Sequence, residues 1–591
     1  MFIIYYIMVN FITGGHIIYD RLVNHNVKHV FLYSGGAIMN LIDQFYDGPI
    51  KYFINTHEQS SGHAATGYAK SSGQTGVCAV TSGPGLTNMI TPMLDATNDS
   101  TPLVVFSGQV PRAAMGSQAF QECPAIEITR PVTKWSYCVE NVDELPCVVD
   151  QAFKIANHKK KGTVHIDLPK CVLNATVLRQ PFYKYNSNIK DINNTDLPPT
   201  YTAHDFNNVI DLIYAAKKPI LYVGQGCNNA YKELRVFAKK YNIPVTTTIH
   251  ALGAFDENDP LSLQMVGMHG NAAANYAIQE ADLIIALGAR FDDRTTGALE
   301  HYAPEAFKAY KEDRGGIVHV NIEHSELHKV VPAHYEFCLD CEIFLREINR
   351  TEESSTISIN NKWIDKIQQW KKQHYFQYKP ANNKKIKGQD VISEINKQIT
   401  SDYIITTGVG NHQMYAAQFI KWGIPNSMIT SGSLGVMGVG LPYAIGCQIA
   451  NPDKMVIDID GDGSFHHTLA ELKTVRDYNL PIKIAIMNDG HMSMVRVWEQ
   501  LFFKGRYTAT TLSQNPDYIS LANSFGIKAI YCDNIDDLDE KINYFLTYPG
   551  AILCDFRIKT DMCLPLVGPG KALDNMILTA DNVSVSGSAP N

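Results

Sequence analysis

The chain has 591 residues, too many for a single hydrophobic core, and predicts about three domains of roughly 150–200 residues each. Hydrophobic residues make up 45% of the chain and charged residues 19%, which is typical of a soluble globular protein. The net charge of -8 comes without clusters of Lys and Arg, so the composition excludes a nucleic-acid-binding surface.

The N-terminus, residues 1–12, is apolar but too short to span a bilayer, and it lacks the basic start and cleavage site of a signal peptide. We interpret it as a short extension before the first strand, and we expect a cytoplasmic protein without a membrane partner. The twelve cysteines are scattered along the chain, as reduced thiols usually are. Cys338 and Cys341 form a lone CxxC pair, which disfavours a zinc site.

Residues 13–178 alternate short apolar strands with helical stretches, the pattern of a parallel sheet covered by helices. A helix is predicted from Gly14 to Asn26. Several of the following strands end at glycine-rich turns, such as Gly35-Gly36 and the TSGPG segment at 81–85. Turns of this kind form the ligand-binding edge of α/β folds. Glu58 lies between a predicted strand and the helix that follows it.

A polar linker at 180–202 leads to residues 203–350, whose own strands predict a Rossmann-like domain. The glycines of this block do not form GxGxxG, so a nicotinamide cofactor has little support. A connection at 351–388, rich in Lys, Asn and Gln and partly helical around Trp363–Trp370, leads to a third block at 389–558. The tail, 559–591, is expected to be mobile at its end.

The third block contains a strand–helix–strand unit with an acidic residue after each strand. The first strand ends at Gly461-Asp462-Gly463 and the second at Asn488-Asp489-Gly490. The helix between them is predicted to bury Leu469, Leu472, Val475 and Tyr478. A right-handed crossover brings the ends of the two strands side by side, so Asp462 and Asp489 would meet at a ligand-binding edge that suits Mg²⁺. The alternative is an ordinary turn with incidental acidic residues.

Two pairs of histidines lie near the acidic residues of the first and third blocks. His57 and His63 are six positions apart, so they do not share one helix face as the HExxH zinc motif requires. His466 and His467 are candidates for an acid/base pair. Their position at the start of an amphipathic helix favours packing or surface roles instead.

The GDG segment at 461–463 with its downstream Asn-Asp resembles the cofactor signature of thiamine-diphosphate (ThDP) enzymes. The resemblance assigns Mg²⁺ to Asp462, Asp489 and the backbone carbonyl of His491. It assigns the cofactor's diphosphate to Gly461, Gly463 and Ser464. Asp489 stands where the family usually has Asn, which adds a negative charge beside the diphosphate. Glu58 would be the carboxylic acid that activates the aminopyrimidine ring of ThDP.

Motifs from residue 13 to about 567 resemble the catalytic subunits of acetolactate synthases, also called acetohydroxyacid synthases. The resemblance implies a ThDP-binding α/β fold of three parallel-sheet domains: a pyrimidine-binding domain, a central Rossmann-like domain associated with FAD, and a diphosphate-binding domain. The matching segments are HEQ at 57–59, TSGPG at 81–85, GQVP at 108–111, AFQE at 119–122, DLPK at 167–170, MVGMHG at 265–270, GARFDDR at 288–294, TTGVGNHQM at 406–414, GSLGVMGVGLP at 432–442 and MVRVW at 494–498.

The resemblance also implies roles for single residues at the reaction site. Gly35 would present its backbone N–H near the reacting carbon, and Phe120 and Gln121 would lie at the catalytic pocket. Lys170 would face the substrate channel, where a cation can hold a ketoacid carboxylate, and its alternative role is a surface salt bridge. The residues that would line ThDP are Val409, Gly435, Met437 and Val495. For Met437, which would support the bent cofactor, the alternative is a gap-filling core side chain.

The central and last blocks add residues for the second cofactor and the second substrate. Arg290, Asp293 and Arg294 belong to a segment that resembles the FAD-binding part of the anabolic enzymes, where the flavin has no redox role in the reaction. Arg294 would also face the substrate channel, with a surface salt bridge as the alternative. Trp498 would narrow the acceptor pocket in favour of 2-ketobutyrate, and its alternative is a core aromatic residue.

The implied reaction decarboxylates pyruvate and joins the remaining hydroxyethyl unit to pyruvate or 2-ketobutyrate. The products would be 2-acetolactate and 2-aceto-2-hydroxybutyrate, on the routes to valine, leucine and isoleucine. The resemblance implies a site shared between two subunits, hence a homodimer or homotetramer, with a small regulatory subunit as a further candidate partner. Two alternatives stay open: another ThDP-dependent 2-ketoacid decarboxylase or carboligase, and a non-catalytic ThDP-binding homologue.

Overall fold

The computed structural model of the protein describes residues 11–179, 200–350, 361–381, 384–400, 402–512 and 514–579. Three six-stranded sheets, each built from parallel strands, follow one another along the chain, which confirms the predicted α/β fold. Residues 1–10 of the predicted N-terminal extension, most of the predicted linker at 180–202 and the end of the tail lie outside the described residues, while Phe11 and Ile12 already belong to the first strand. Within the described ranges, none of the helices combines the length and apolar character that crossing a bilayer requires.

The first domain is built on strands β1 to β8, and its six-stranded sheet has the order β3-β2-β4-β5-β7-β6. Strands β4, β5 and β7 are buried over their whole length because helices cover both faces of the sheet. The short strands β1 and β8 pair with each other in an antiparallel manner. The strands are β1 (Phe11–Thr13), β2 (His29–Leu32), β3 (Lys51–Ile54), β4 (Gly76–Val80), β5 (Leu103–Gln109), β6 (Trp135–Cys138), β7 (Thr163–Pro169) and β8 (Thr176–Leu178).

The first helix of this domain is close to its prediction. It runs from Gly14 to Asn24 and begins where the side chain of Thr13 accepts the N–H of His16, a typical N-cap. The remaining α-helices are Met39–Ile42, Glu58–Ser72, Pro84–Thr87, Ile90–Asn98, Ala125–Thr129, Leu145–Asn157 and Lys170–Asn174. Short 3-10 helices lie at Asp43–Phe45, Arg112–Ala114, Arg130–Val132 and Val142–Glu144.

The middle domain has a sheet of the order β11-β10-β9-β12-β13-β14, as a Rossmann-like domain would. Its strands are β9 (Pro219–Val223), β10 (Val245–Thr247), β11 (Ser262–Met265), β12 (Leu283–Leu287), β13 (Gly316–Val320) and β14 (Tyr335–Phe337). Its α-helices, with the connecting helix that follows, are Ala203–Ala215, Tyr231–Tyr241, Ala272–Glu280, Asp293–Thr296, Pro304–Lys311, Cys341–Arg350 and Asn361–Gln373. Its 3-10 helices are Gln225–Ala230, Ile249–Ala251, Leu299–His301 and His324–Glu326.

The third domain has a sheet of the order β16-β15-β17-β18-β20-β19. Its strands are β15 (Tyr403–Thr407), β16 (Met428–Ile429), β17 (Met455–Gly461), β18 (Lys483–Asn488), β19 (Lys528–Cys532) and β20 (Ile552–Arg557). Its α-helices are Gly388–Gln398, Asn411–Phe419, Gly440–Ala450, Asp462–Phe465, Leu472–Asp477, Ser493–Phe502, Tyr518–Ser524 and Leu538–Thr547, with 3-10 helices at Leu469–Glu471 and Ile535–Asp537.

The segment after β20 returns to the middle domain. Its two short strands, β21 (Leu566–Val567) and β22 (Met576–Ile577), pair with each other. Leu573 is buried in the core of the middle domain, and its carbonyl oxygen accepts a hydrogen bond from Asn275. The first part of the predicted tail therefore belongs to the packed structure.

The first and third domains share one hydrophobic core through two helices, Glu58–Ser72 and Gly440–Ala450. The helices are antiparallel, since Gly67 lies against Tyr443 while Gly446 lies against Ala64. A Cβ atom on Gly446 would stand 1.8 Å from the carbonyl oxygen of Ala64, and one on Gly67 would stand 2.5 Å from that of Tyr443. Glycine at both positions therefore lets the two backbones touch.

This contact predicts a large stability loss for Gly446→Ala. The added methyl group would force the helices apart, and overpacking of this kind costs roughly 1–3 kcal/mol. We expect a lower midpoint of urea-induced unfolding than in the wild type. Gly36→Ala is the matched control, because none of the described residues has an atom within 4 Å of its Cβ position. Equal midpoints for the two variants would contradict the prediction.

Candidate active site

Gly35 and Glu58 meet at one loop of the first domain, residues 81–88, which follows β4. The Cβ position of Gly35 lies 2.4 Å from Cβ of Thr81, so the backbone after β2 touches this loop directly. Asn88, at the other end of the loop, donates a hydrogen bond of 3.0 Å to Oε2 of Glu58. Glu58 itself is half-buried and begins its helix where parallel strand β3 ends. The loop thus gathers two of the predicted catalytic residues at the carboxyl edge of the sheet.

Gln121 lies against the same loop and has an unusual backbone. Its carbonyl oxygen is 2.8 Å from the Cβ position of Gly83, and its φ of +62° falls in the left-handed region that few residues other than glycine adopt. The following turn is fixed by Gln109, whose Nε2 donates to the carbonyl oxygen of Cys123 and to Asp167, both at 3.1 Å. Burial raises the pKa of Asp167 to about 6. Unusual backbone held in this way is common at functional sites.

Two further predicted residues lie at this edge and are open to solvent in the single chain. Lys170 begins the Lys170–Asn174 helix immediately after β7. Phe120 precedes Gln121 and is 88% exposed. Gly35, Glu58, Phe120, Gln121 and Lys170 therefore all belong to one face of the first domain.

The predicted metal ligands lie together at the carboxyl ends of β17 and β18. Asp462 is buried, and its Oδ2 accepts the N–H of Gly490 at 2.8 Å, which ties it to the turn that carries Asp489. Oδ1 of Asp489 accepts the N–H of His491 at 3.1 Å, and its Oδ2 accepts the hydroxyl of Ser493. The two acidic side chains thus occupy one loop cluster, as the crossover argument predicts.

Burial raises the pKa of Asp462, although hydrogen bonds from Asn515, Gly463 and Gly490 oppose this. Burial, with a further contribution from the neighbouring Asp462, raises the pKa of Asp489 to about 6. A cation between two such groups would relieve their repulsion, so the pair fits Mg²⁺. In the described ranges no three or more His, Cys, Asp or Glu side chains form a metal cluster, so an ion here would need backbone, water or phosphate oxygens as well.

Two residues of this site were missed by the sequence analysis. Nδ2 of Asn515 donates to Oδ2 of Asp462 at 2.6 Å and to Oδ1 of Asn488 at 2.9 Å, so it fixes the orientation of the acid. His412 is buried beside Gly461, and its Nε2 lies 3.4 Å from Oδ1 of the buried Asp460. The HQM motif at 412–414 carried a signal for His412, whereas the sequence around Asn515 carried none.

A glycine-rich loop, residues 430–438, passes over this cluster. Gly435 has a φ of +71°, which favours glycine, and its Cβ position lies 4.0 Å from the side chain of Val409. Cε of Met437 lies 3.8 Å from the Cβ position of Gly463. The loop is joined to the cluster by Ser464, whose Oγ accepts the N–H of Gly438 at 2.8 Å.

The positions of Val409, Gly435, Met437, Gly461, Gly463 and Ser464 are thus close together. Met437 is only half-buried, which excludes the alternative of a core side chain.

The two neighbouring histidines have packing and surface roles in the structure. A ring nitrogen of His466 hydrogen-bonds with the hydroxyl of Tyr518 at 2.8 Å. His467 is exposed to solvent, and its Cβ lies next to Gly438. The packing interpretation of this pair therefore fits the structure.

A cavity of about 980 Å³ lies between the three domains and reaches the glycine-rich loop. Arg290 lines it and bonds to Ser433 at 2.7 Å and to the carbonyl oxygen of Asn98, so the central domain contacts both others here. The other predicted residues on its wall are Asp293, Arg294, Trp498, Val409 and Gly435.

Arg294 contacts its neighbour Asp293 at 3.8 Å and Met268 at 3.2 Å, and its side chain is 59% exposed. Trp498 and Val495 stand on the Ser493–Phe502 helix, of which only Val497 and Glu499 are buried. Trp498 is therefore a wall residue and not a core aromatic. Val495 is half-exposed on the same helix.

Glu58 and the glycine-rich loop lie at opposite ends of the helix pair that joins the first and third domains. Gly440, at the end of the glycine-rich loop, begins the helix that packs antiparallel on the Glu58–Ser72 helix. Extending the contact of Gly67 with Tyr443 along both helices places Glu58 and Gly440 about 18 Å apart along the axis, at 1.5 Å per residue. One chain thus carries two separate half-sites: the face of the first domain with Glu58, and the cluster of Asp462 and Asp489 with the glycine-rich loop.

The fold and these two half-sites define a thiamine pyrophosphate enzyme. Three family models match the chain: the N-terminal TPP binding domain of thiamine pyrophosphate enzymes over residues 12–128, their central domain over 206–348, and their C-terminal TPP binding domain over 408–556. The two cofactor-binding matches cover Glu58 and the acidic cluster, and the central match covers Arg290, Asp293 and Arg294 of the cavity wall.

The chain is also similar to curated proteins over nearly its whole length. It is 43% identical to a mitochondrial acetolactate synthase of Schizosaccharomyces pombe, covering 96% of this chain and 86% of that protein. It is 42% identical to a mitochondrial acetolactate synthase catalytic subunit of Saccharomyces cerevisiae, with 96% and 84% covered. It is 39% identical to an acetolactate synthase large subunit of Cyanidium caldarium, with 96% of each covered. The chain belongs to the acetolactate synthase family.

Proposed function

We propose that the chain is a catalytic subunit that converts pyruvate and a second 2-ketoacid to acetohydroxy acids with ThDP. The observation that carries this is the pair of half-sites, one with Glu58 and one with Asp462, in a chain about 40% identical to acetolactate synthases from end to end. When bound, ThDP supplies a thiazolium carbon that adds to the ketoacid carbonyl and an electron sink for loss of CO₂.

The third domain would hold the cofactor through its diphosphate. Asp462, Asp489 and the carbonyl oxygen of His491 would bind Mg²⁺, and Gly461, Gly463 and Ser464 would approach the phosphates. Asp489 keeps an oxygen ligand where the family usually has Asn, so the metal site is retained with one more negative charge.

Glu58 would hydrogen-bond to the aminopyrimidine ring of ThDP and move the proton that activates the cofactor. Its position at the far end of the helix pair from the glycine-rich loop of its own chain supports a site assembled from two chains. We therefore propose a homodimer, or a homotetramer made of such dimers, in which Glu58, Gln121 and the backbone of Gly35 face the third domain of a partner subunit. A small regulatory subunit stays a prediction.

Substrate selection would depend on the cavity wall and the solvent-facing cations. Lys170 and Arg294 would bind a ketoacid carboxylate. Both side chains are exposed, and neither forms a buried ion pair within the described part of the chain. Trp498 would limit the size of the acceptor pocket and favour 2-ketobutyrate over pyruvate. Phe120 would add apolar surface when a second chain covers the first domain.

FAD would occupy the cavity between the domains, whose volume suits a large ligand. The glycine-rich turn at 224–226, at the carboxyl end of β9, and Arg290 lie on its wall. The flavin would have no redox step in the reaction. A cytoplasmic location also stays a prediction: Cys78, Cys447, Cys554 and Cys563 are buried free thiols, which supports a reducing compartment. Cell fractionation would test it.

One experiment tests the proposed function. The protein is purified with ThDP, Mg²⁺ and FAD, its visible spectrum is recorded after desalting, and products are identified from pyruvate with and without 2-ketobutyrate. We expect 2-acetolactate from pyruvate alone, a mixed acetohydroxybutyrate product with both ketoacids, and a flavin spectrum. Free acetaldehyde would identify a simple decarboxylase, and unconsumed pyruvate a non-catalytic ThDP-binding protein.

A further inference from the structure

The turn from Gly435 to Met437 is anchored by one buried hydroxyl. Oγ of Ser431 accepts the N–H of Gly435 at 3.1 Å and the N–H of Val436 at 3.0 Å. A serine hydroxyl has one hydrogen and two lone pairs, so these two bonds use both lone pairs. Its hydrogen goes to Oδ1 of Asp95, 2.6 Å away. The direction of each bond in this chain is therefore fixed.

Asp95 brings this anchor from another domain. It lies on the Ile90–Asn98 helix of the first domain and is completely buried. Its second oxygen accepts the hydroxyl of Tyr443, which belongs to the Gly440–Ala450 helix. With both oxygens engaged by the third domain, Asp95 fixes the glycine-rich loop to the helix pair that joins the two domains.

One turn later, Asp99 holds the preceding part of the same loop. It accepts the N–H groups of Gly432 and Ser433 at 3.2 and 3.0 Å and the Lys70 ammonium at 2.7 Å. Burial raises its pKa, but His250 and Lys70 outweigh this and hold the pKa of Asp99 well below its usual range. Asp99 therefore keeps the loop in place independently of Ser431. Removal of the Ser431 hydroxyl would free only the turn at Gly435–Met437.

We propose that Asp95 and Ser431 are positioning residues that set the shape of the Gly435–Met437 turn, on which bound ThDP would rest. The inference rests on the proposed function. Neither residue needs to touch the substrate, since both act through the backbone N–H groups of the turn. Gly435 has left-handed backbone, and without its anchor a glycine-rich turn has several conformations open to it. A misplacement of about 1 Å at a reacting group is enough to cost up to about 10²-fold in rate.

Ser431→Ala tests this proposal. We measure the exchange of the thiazolium C2 proton of bound ThDP with deuterium. This rate depends on how the chain positions the aminopyrimidine and thiazolium parts of bound ThDP relative to each other. We expect exchange and kcat to fall at least about tenfold, while KM for pyruvate stays within about twofold. The thermal midpoint, measured with each variant, shows whether the chain is folded.

Tyr443→Phe is the matched control. It removes the other hydroxyl that bonds to Asp95 but leaves the hydrogen bonds from Asp95 through Ser431 to the turn intact. We therefore expect the wild-type exchange rate. Asp95→Asn keeps an acceptor oxygen for Ser431 and is expected to retain most of the wild-type exchange rate. If Ser431→Ala does not fold, Ser431→Cys serves instead, because a thiol is a weak hydrogen-bonding partner of similar size.

Wild-type exchange in the serine variants would overturn the proposal. Equal slowing in Tyr443→Phe and Ser431→Ala would overturn it as well, since the effect would then reflect general packing around Asp95. Binding of ThDP by the wild-type protein is measured first. Absence of binding there would refute the proposed function, whereas binding with unaffected variants would refute only the positioning role.

Discussion

Glu58→Gln is expected to abolish most of the activity without unfolding the protein. Gln cannot give or take the proton that a carboxylic acid moves, and loss of such a group costs typically about 10²–10⁴-fold. The side-chain oxygen of Gln can still accept the bond from Asn88, so the start of the helix stays in place. The measurement is kcat for acetolactate formation together with the thermal midpoint.

Glu127→Gln is the matched control for this variant. Glu127 is exposed on the Ala125–Thr129 helix of the same domain, and it belongs to no part of the proposed site. We expect wild-type turnover from it. Unchanged turnover in Glu58→Gln would refute the role of Glu58 and, with it, the assignment of the first domain's face to catalysis.

Asp462→Asn is expected to prevent retention of the cofactor. The substitution removes a charged metal ligand and turns an amide group toward N–H donors at Gly463, Gly490 and Asn515. We expect the Mg²⁺ concentration for half-maximal ThDP binding to rise at least about tenfold, since even the loss of a residue that only hydrogen-bonds to a metal ligand lowers metal affinity about 10–100-fold. Calorimetric titration of ThDP at several Mg²⁺ concentrations measures this.

Asp489→Asn is the comparison that separates the two acids. It keeps an oxygen ligand, supplies the amide that the family usually has there, and removes one negative charge beside the diphosphate. We expect ThDP to be retained with at least the wild-type affinity. An effect as severe as that of Asp462→Asn would contradict the equivalence of Asp489 with the family's asparagine.

Local patterns were sufficient to predict much of the fold. The apolar strand, GDG turn, helix and second strand at 455–490 were expected from periodicity, and β17 and β18 occupy those places. The helix predicted to bury Leu469 and Val475 is divided into a 3-10 turn and a shorter α-helix. At the division, the buried carboxyl group of Glu471 accepts hydrogen bonds from Asn55 and Thr56, which are 416 and 415 positions away in sequence and which no local pattern connects to it.

The site was predictable only where short motifs carried it. Asp462, Asp489 and Glu58 stood out because turns after strands placed them at sheet edges. Asn515 was not predictable, because its contact with Asp462 depends on a loop that no pattern connects to the cluster. No sequence pattern pointed to Asp95 and Ser431 either, since these two residues are 336 positions apart and their hydrogen bond joins two domains. Long-range contacts of this kind exist only in the folded chain.

The antiparallel helix pair has a consequence for mixtures of defective subunits. Suppose that Glu58 of each chain completes the active site of its neighbour. A mixed dimer of one Glu58→Gln chain and one Asp462→Asn chain then has one active site with both substitutions and one active site with neither. Two inactive preparations, unfolded and renatured together, would regain turnover, and a purified hybrid would work at half the normal rate. Persistent inactivity of such hybrids would mean that each polypeptide completes its own centre.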